Sequence, residues 1–445
     1  MPDLPKPKIV PPLDPGFRPA ALFGRGAAGQ ACMIGLQRPD GSGTRHSLAL
    51  TGDPDQDRIA VERTVKFLLW QRGGTRVTID GPEEIVAHVK NAYSPTGTRA
   101  FDVELIGRTV FESEVRVVGG SVGHTDSART VNTVGRHLDG CRIGFDLGAS
   151  DRKVAAVIDG EEVFTEETVW DPQGNSDPAY HYREIKDGIE TARRHLDRVD
   201  AIGGSSAGVI VDNRVMVASL FRSVPPEAYP RARDVFLRLR DEYGVPFEVA
   251  NDGDVTALAG AMSLNEDRVL GIAMGSSEAA GYVDTAGNIT GWLNELAFAP
   301  IDLSPDGAVD EWSRDRGCGV QYLTQQAVFR LAPSVGIDLT GTDVLAEKLK
   351  VAQAALESGH EGARKIWETI GVYFGYAVAH YATFYDIAHV LVLGRVTSGS
   401  GGDIIVENAM KVAEAEGFRQ VPISLPDDKS RRVGQAVAAA SLPKV

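Results

Sequence analysis

From about residue 141 to 282 the chain alternates short apolar runs with helical patterns, and several of the runs stop at a glycine or an acid. That texture restricts the fold to an α/β sheet with mostly buried strands. CRIGFDLGAS reads as a strand and a tight glycine turn, and KVAAVI as a second strand closed by the Asp159-Gly160 turn. A helix follows over about 183–196, with Ile185, Ile189, Ala192 and Leu196 at spacings of three and four. Then come the strand AIGGSSAG, a helix over 230–242, a strand over 247–250 and another helix from about Asp254. No 20–50-residue repeat of the solenoid kind is present.

The preceding residues mix element types. RPDGSGTRH carries Asp-Gly and Ser-Gly pairs between two short apolar runs and predicts a hairpin. Ile59, Val61, Val65, Leu68 and Leu69 mark a helix over 58–71, followed by a strand at 76–79. Pro82 opens a second helix whose acids lie in the first turn and whose Lys90 lies near the end, as the helix dipole favours. FDVELI and SEVRVV read as two β-rich runs. The polar, glycine-rich stretch 119–140 reads as a linker, dividing the chain into an accessory α+β domain, 1–138, and a body, 139–445.

Composition narrows the partners. Forty-six basic and sixty-one acidic side chains leave a net charge of −15, which repels nucleic acid and offers no steering for a nucleotide. Cys32, Cys141 and Cys318 lie far apart with no paired spacing, so neither a disulfide frame nor a zinc knuckle is expected. The proline-rich N-terminus has no apolar signal core, and the most apolar stretch, 370–394, is interrupted by His380, Asp386 and His389. A cytoplasmic protein without a membrane partner is expected. Gly371, Gly375 and Ala379, four apart, suit close helix packing, with a subunit contact in a dimer as one place for it.

Four segments carry chemistry. In DLGASDRK, Gly148 with the small Ala149 and Ser150 lets backbone N–H groups approach an anion, and Asp146 at a strand end can hold a hydrated magnesium ion. A lone DLG is more often a plain turn. In VANDGDVTA, Asn251-Asp252 sits where a strand meets a helix, so Asp252 can take a proton from a hydroxyl, although such a pair is more often a helix cap. The turn Gly275-Ser276-Ser277 repeats the strand, turn, strand layout of the first. HVLVLGRVTSGSGGDIIVENAMKV runs strand, glycine loop and helix, which suits an adenosine phosphate at the helix N-terminus.

In this order and at these separations, over about 139–445, the four segments resemble the ROK family of sugar kinases and repressors, within the hexokinase, actin and Hsp70 superfamily. The resemblance implies a two-lobed, actin/hexokinase-like (ribonuclease H-like) α/β ATPase body and ATP-dependent phosphorylation of a hexose-like sugar. The family's ND motif falls on Asn251 and Asp252, its second phosphate turn on Gly275 to Ser277, and its adenosine-region glycine on Gly394. Glu295 holds the place of the glutamate in the sugar-binding GExGH segment, and Ser206 and Gly208 belong to the strand that closes on the sugar. The resemblance implies Asp252 as general base, Asn251 and Glu295 on neighbouring hydroxyls, Asp146 on magnesium, and the turns at 148–150 and 275–277 on the transferring phosphate.

The chain also departs from the family. Phe298 replaces the histidine of GExGH, GSSEAAG replaces GTGxGGG, and Glu278 brings a like charge towards the phosphate. Cys318 alone matches the cysteine-rich zinc segment, so no structural zinc is expected. These changes motivate a second reading, a sugar-sensing protein that kept the cleft and lost turnover. A chaperone-like ATPase of the same superfamily is a third, and the hydroxyl-binding character of Asn251, Asp252 and Glu295 speaks against it. The forty-nine glycines gather in part at 144–148, 203–208, 271–275 and 394–402, where nucleotide and sugar would need close backbone approach.

Overall fold

The computed structural model describes residues 4–25, 27, 29–123, 134–426 and 434–445, so the middle of the expected linker, 124–133, lies outside the described residues. Strands β1 (Ala31–Gln37) and β2 (Gly43–Ala49) form the expected antiparallel hairpin. With β3 (Arg76–Asp80) and β4 (Arg116–Gly119) they make a sheet of order β2-β1-β3-β4. Helix α1 (Pro54–Arg72) starts where the Asp53 carboxylate accepts from the N–H groups of Asp55 and Gln56, and helix α2 (Glu83–Ala92) follows Pro82.

FDVELI is not a strand. It lies in α3 (Ala100–Asp102) and the π-helical turns that continue it, Val103–Val110. Val103, Ile106, Gly107 and Val110 are the buried positions, a spacing of three to four that outweighs the β-branched composition of so short a run. The helical geometry also buries Asp102, whose carboxylate accepts from Lys66 Nζ at 2.8 Å and from Trp70 Nε1 at 3.1 Å.

The central sheet has the order β11-β8-β5-β6-β7. Strands β5 (Cys141–Leu147), β6 (Asp151–Ile158) and β7 (Glu161–Val169) are an antiparallel meander, while β8 (Ala201–Ser206) runs parallel to β5. After the hairpin β9 (Val209–Val211) and β10 (Arg214–Val217), β11 (Phe247–Asn251) pairs parallel to β8. Helix α4 (Pro178–Arg193) packs Ile185 and Ile189 onto the core formed by Ile143, Phe145, Ile202 and Phe247. The helix expected over 230–242 is two, α5 (Tyr229–Arg233) and α6 (Val235–Tyr243), because Asp234 leaves helical geometry between them. Helix α7 (Asp252–Leu264) follows β11 directly.

A further sheet has the order β13-β12-β14-β15, from β12 (Val269–Met274), β13 (Glu278–Tyr282), β14 (His389–Leu393) and β15 (Ile423–Ser424). The remaining helices are α8 (Gln325–Leu331), α9 (Leu345–Glu357), α10 (Glu361–Tyr381), α11 (Ser400–Glu416) and α12 (Gln435–Ala440). Gly371 and Gly375 seat α10 against α11 of the same chain. A Cβ at 371 would lie 2.8 Å from the Ile405 carbonyl oxygen, and one at 375 would lie 2.7 Å from Val412 Cβ. The close packing read from these glycines is therefore intramolecular and gives no argument for a subunit contact.

Two compact units emerge. One gathers the described residues within 1–130, 272–279 and 292–425, the other those within 131–271, 280–291 and 426–445. Within the first unit the N-terminal residues bury their apolar groups on later ones. Phe17 is fully buried and packs on Tyr322, Tyr373 and Tyr376, and Phe67 stacks on Phe384 at 3.9 Å. Burying a ring of that size stabilises by roughly 1.5–3 kcal/mol. Among the described residues no helix is long and apolar enough to cross a membrane.

Candidate functional site

The expected residues of the first turn and the Asn-Asp pair fall in the second unit. Asp146 lies on β5 in register with Ser205 on β8, and Ser205 Oγ donates to Asp146 Oδ1 at 2.7 Å. Gln435, the first residue of α12, donates from Nε2 to Ser205 Oγ at 3.0 Å and to the Asp252 carbonyl at 3.1 Å. One amide thus ties the magnesium candidate to the base candidate. Burial lifts the Asp146 pKa to about 6; the Ser205 bond opposes the rise and the Asp252 charge adds to it. Burial raises the Asp252 pKa too, against the N–H donated by Gly253. Two desolvated carboxylates that repel each other are a place where a cation is favoured.

The turn after β5 is partly self-satisfied. The Gly148 N–H donates to the Asp151 carbonyl at 2.9 Å, and Trp170 Nε1 donates to the Gly148 carbonyl at 2.8 Å. Ala149 and Ser150 are exposed. Asn251 is the N-cap of α7: its Oδ1 accepts from the Gly253 N–H at 2.7 Å and its Nδ2 donates to the Gly208 carbonyl at 2.7 Å. Gly208 has φ +112, and a Cβ there would overlap the Val217 carbonyl. Ser206 is fully buried, next to the Ser205 that makes the contact with Asp146.

The remaining expected residues fall in the first unit. Gly275 donates its N–H to the Ser277 carbonyl at 3.1 Å, closing the turn that also holds Ser276. Glu278 follows at the start of β13 and is 3% exposed, with Tyr381 Oη donating to its Oε1 at 3.2 Å. Burial pushes its pKa to about 8, so at neutral pH it is protonated and the expected like charge beside the phosphate turn is absent. Gly394, at φ +107, presses on the Met274 backbone, where a Cβ would meet the carbonyl oxygen at 2.5 Å. At the N-terminus of α11, Glu357 Oε1 accepts from Ser400 N at 2.9 Å and from Ser400 Oγ at 2.8 Å, where an adenosine phosphate was expected.

Glu295 is held through its backbone, its N–H donating to the Trp70 carbonyl at 3.1 Å. Phe298, three residues on, packs on Trp70 at 4.3 Å and on Phe101 at 5.5 Å. The segment EWSRDRGCGVQYL around Cys318, residues 311–323, is anchored by charge. Asp315 pairs with Arg63 at 2.6 Å, Arg99 at 2.5 Å and Lys66 at 3.2 Å. Burial alone would raise its pKa, yet these cations hold it well below the usual carboxylate range. Cys318 is buried beside Asp315, with its thiol pushed up to about 12 by burial. Among the described residues no group of three or more His, Cys, Asp or Glu side chains could hold a metal ion.

Several of the glycines have packing reasons. A Cβ at Gly144 would overlap the Ala436 carbonyl, and one at Gly203 would overlap the Ala439 carbonyl, so these strand glycines admit α12 rather than a ligand. Sequence reading missed Gln435, whose only signal is its place before the small-residue run AVAAA. Of the two adjacent serines on β8, Ser205 is the one that bonds Asp146, while Ser206 was expected on the sugar.

Among solved structures the chain is similar to the ROK hexokinase from Thermus thermophilus, with 18% identity over 67% of this chain and 97% of that one and a TM-score of 0.53. The chain has the ROK fold. A ROK family transcriptional regulator, a homologue of the E. coli MLC protein, is similar at 19% identity over 68% of this chain and 79% of that one, TM-score 0.53. A ROK family protein from Streptococcus pneumoniae in complex with sucrose is similar at 12% identity over 67% and 96%, TM-score 0.50. No protein-family model matches the chain, and no curated protein matches it. The mixed α/β, hexokinase-like class expected from the motifs is thus the class observed. At these identities the likeness carries the ROK fold, and the chemistry must be argued from the residues.

Proposed function

We propose that the protein is an ATP-dependent sugar kinase that phosphorylates a hexose-like hydroxyl with Asp252 as general base. The observation that carries this reading is the desolvated Asp252 carboxyl at the start of α7, on a residue whose backbone carbonyl is joined through Gln435 and Ser205 to the Asp146 carboxylate. A base whose pKa is raised towards the working pH abstracts a proton more readily. The likeness in fold to a protein described as a hexokinase supports the reading. In it Glu295 orients the sugar, and Asn251 fixes the helix start and the Gly208 loop rather than a hydroxyl. The residues fit magnesium: Asp146 is a half-buried carboxylate repelled by Asp252, and this ion takes one or two carboxylates while keeping several waters. When bound with ATP, magnesium would draw charge from the phosphates. Ala149, Ser150, Ser276 and Ser277 are the residues from which backbone donors to the phosphates would come.

Residues 1–138 are read as an addition to a kinase body at 139–445, consistent with similar structures that cover about two thirds of the chain. Three free, buried cysteines suit a reducing, cytoplasmic setting. A second reading, a sugar-sensing protein without turnover, is favoured by the Gly148 and Gly275 N–H groups being used inside their own turns and by Glu357 at the N-terminus of α11. An ADP-release assay over glucose, mannose and N-acetylmannosamine, on the unaltered chain and Asp252→Asn, separates the two. Sugar-dependent turnover that falls at least ~100-fold in the variant is expected for a lost general base. Sugar-induced thermal stabilisation without turnover in either protein would establish the sensor instead.

A further inference from the structure

Helix α1 ends against the segment that carries Glu295. The last carbonyls of a helix lack an intrahelical partner. Here two of them are satisfied by that segment: Gln71 O accepts from Asn294 N at 3.0 Å and Trp70 O accepts from Glu295 N at 3.1 Å. Asn294 is 2% exposed and adopts φ +50, and its Oδ1 accepts from Tyr385 Oη at 2.9 Å. A left-handed asparagine held on both its backbone and its side chain leaves the next residue little choice of direction.

The Trp70 side chain completes the hold. Its ring, 2% exposed, lies on Phe298, and its Nε1 donates to Asp102, which Lys66 also grips. Phe101 packs on both rings. The segment around Glu295 is therefore gripped by backbone at one end and by aromatic contact at the other, and in both cases the grip comes from residues 66–102.

We propose that Trp70 is the positioning residue for Glu295, so that the N-terminal segment sets affinity for the sugar. This rests on the sugar-kinase reading above. Fixing the carboxylate before the substrate arrives removes an ordering cost from binding, and losing it weakens sugar binding more than the later chemistry.

The test uses the full chain and the sugar of the glucose, mannose and N-acetylmannosamine panel that is turned over with the highest kcat/KM. Trp70→Leu removes the ring from Phe298 and should raise the sugar KM about tenfold, leaving kcat and the ATP KM within about twofold. Trp70→Phe keeps a ring there, loses the bond to Asp102, and should raise it about threefold. It carries the test should Trp70→Leu not fold. Phe17→Leu, in the same unit but in a different aromatic cluster, should lower the melting temperature without moving the sugar KM. An unaltered sugar KM in the folded Trp70 variants, or an equal rise in Phe17→Leu, overturns the proposal and leaves the kinase reading standing. If the unaltered chain neither turns over any panel sugar nor binds one by calorimetry, the kinase reading is overturned, and the proposal with it.

Discussion

Replacing Glu278 by glutamine should shift stability in the variant's favour as pH rises. The carboxyl is 3% exposed, takes one bond from Tyr381, and leaves its Oε2 without a partner, packed against Gly319. Burial moves its pKa from 4.5 to about 8, with Glu295 adding repulsion and Tyr381 opposing. The folded value lies above the unfolded one, so the group's contribution to stability is fully present below about pH 4.5 and is lost as pH rises to about 8. The linkage amounts to about 3 kcal/mol at pH 7 and about 5 kcal/mol once the group ionises in both states. Glutamine has nearly the same shape, can still accept from Tyr381, and does not titrate. Its unpaired amide costs about 1–3 kcal/mol, a term independent of pH. Urea unfolding of both proteins at pH 5 and pH 8 isolates the titration, because all other groups cancel in the difference. Glu278→Gln should gain about 3–4 kcal/mol on the parent between those two pH values. Parallel stability curves would refute the assignment of a protonated Glu278 and restore a charge beside the turn at 275–277.

Lys66 is fully buried between Asp102 and Asp315, so Lys66→Met should cost about 3–5 kcal/mol in urea unfolding, with part recovered by adding Asp102→Leu. A loss below 1 kcal/mol would mean that Arg63 and Arg99 alone satisfy the acids. Gln435→Leu removes the two bonds that join Ser205 to the Asp252 backbone and should cost about 1–3 kcal/mol of stability. An unchanged urea midpoint would show that the bridge contributes nothing.

Local signals were strong where one element made its own case. The β1–β2 hairpin followed from its Asp-Gly and Ser-Gly turn, and α2 from Pro82 and its charge order. FDVELI failed because a six-residue run with two β-branched residues fits either period, and the burial of Asp102 against Lys66 decided for the helix. Of the candidate site, Asp146 and Asp252 draw attention in the sequence because each stands at or just after the end of an apolar strand. Their link was not legible there, since Gln435 lies 183 residues beyond Asp252 and bonds across that distance. Nor was the neutrality of Glu278, because sequence gives a residue its charge at the pKa of a solvated group, and burial replaces that value.

The sequence by itself determined most of the order of strands and helices and the presence of acids at strand ends, because hydrophobic period and turn chemistry act over a few residues. Only the tertiary structure decided what Gly144 and Gly203 are for, which carboxyls are desolvated, and which later segment the end of α1 holds. Gly144 and Gly203 admit α12, and the N-terminal helix α1 holds the Glu295 segment with its last carbonyls. Those outcomes depend on close approach and desolvation between groups far apart in the chain, and neither quantity is written in local order.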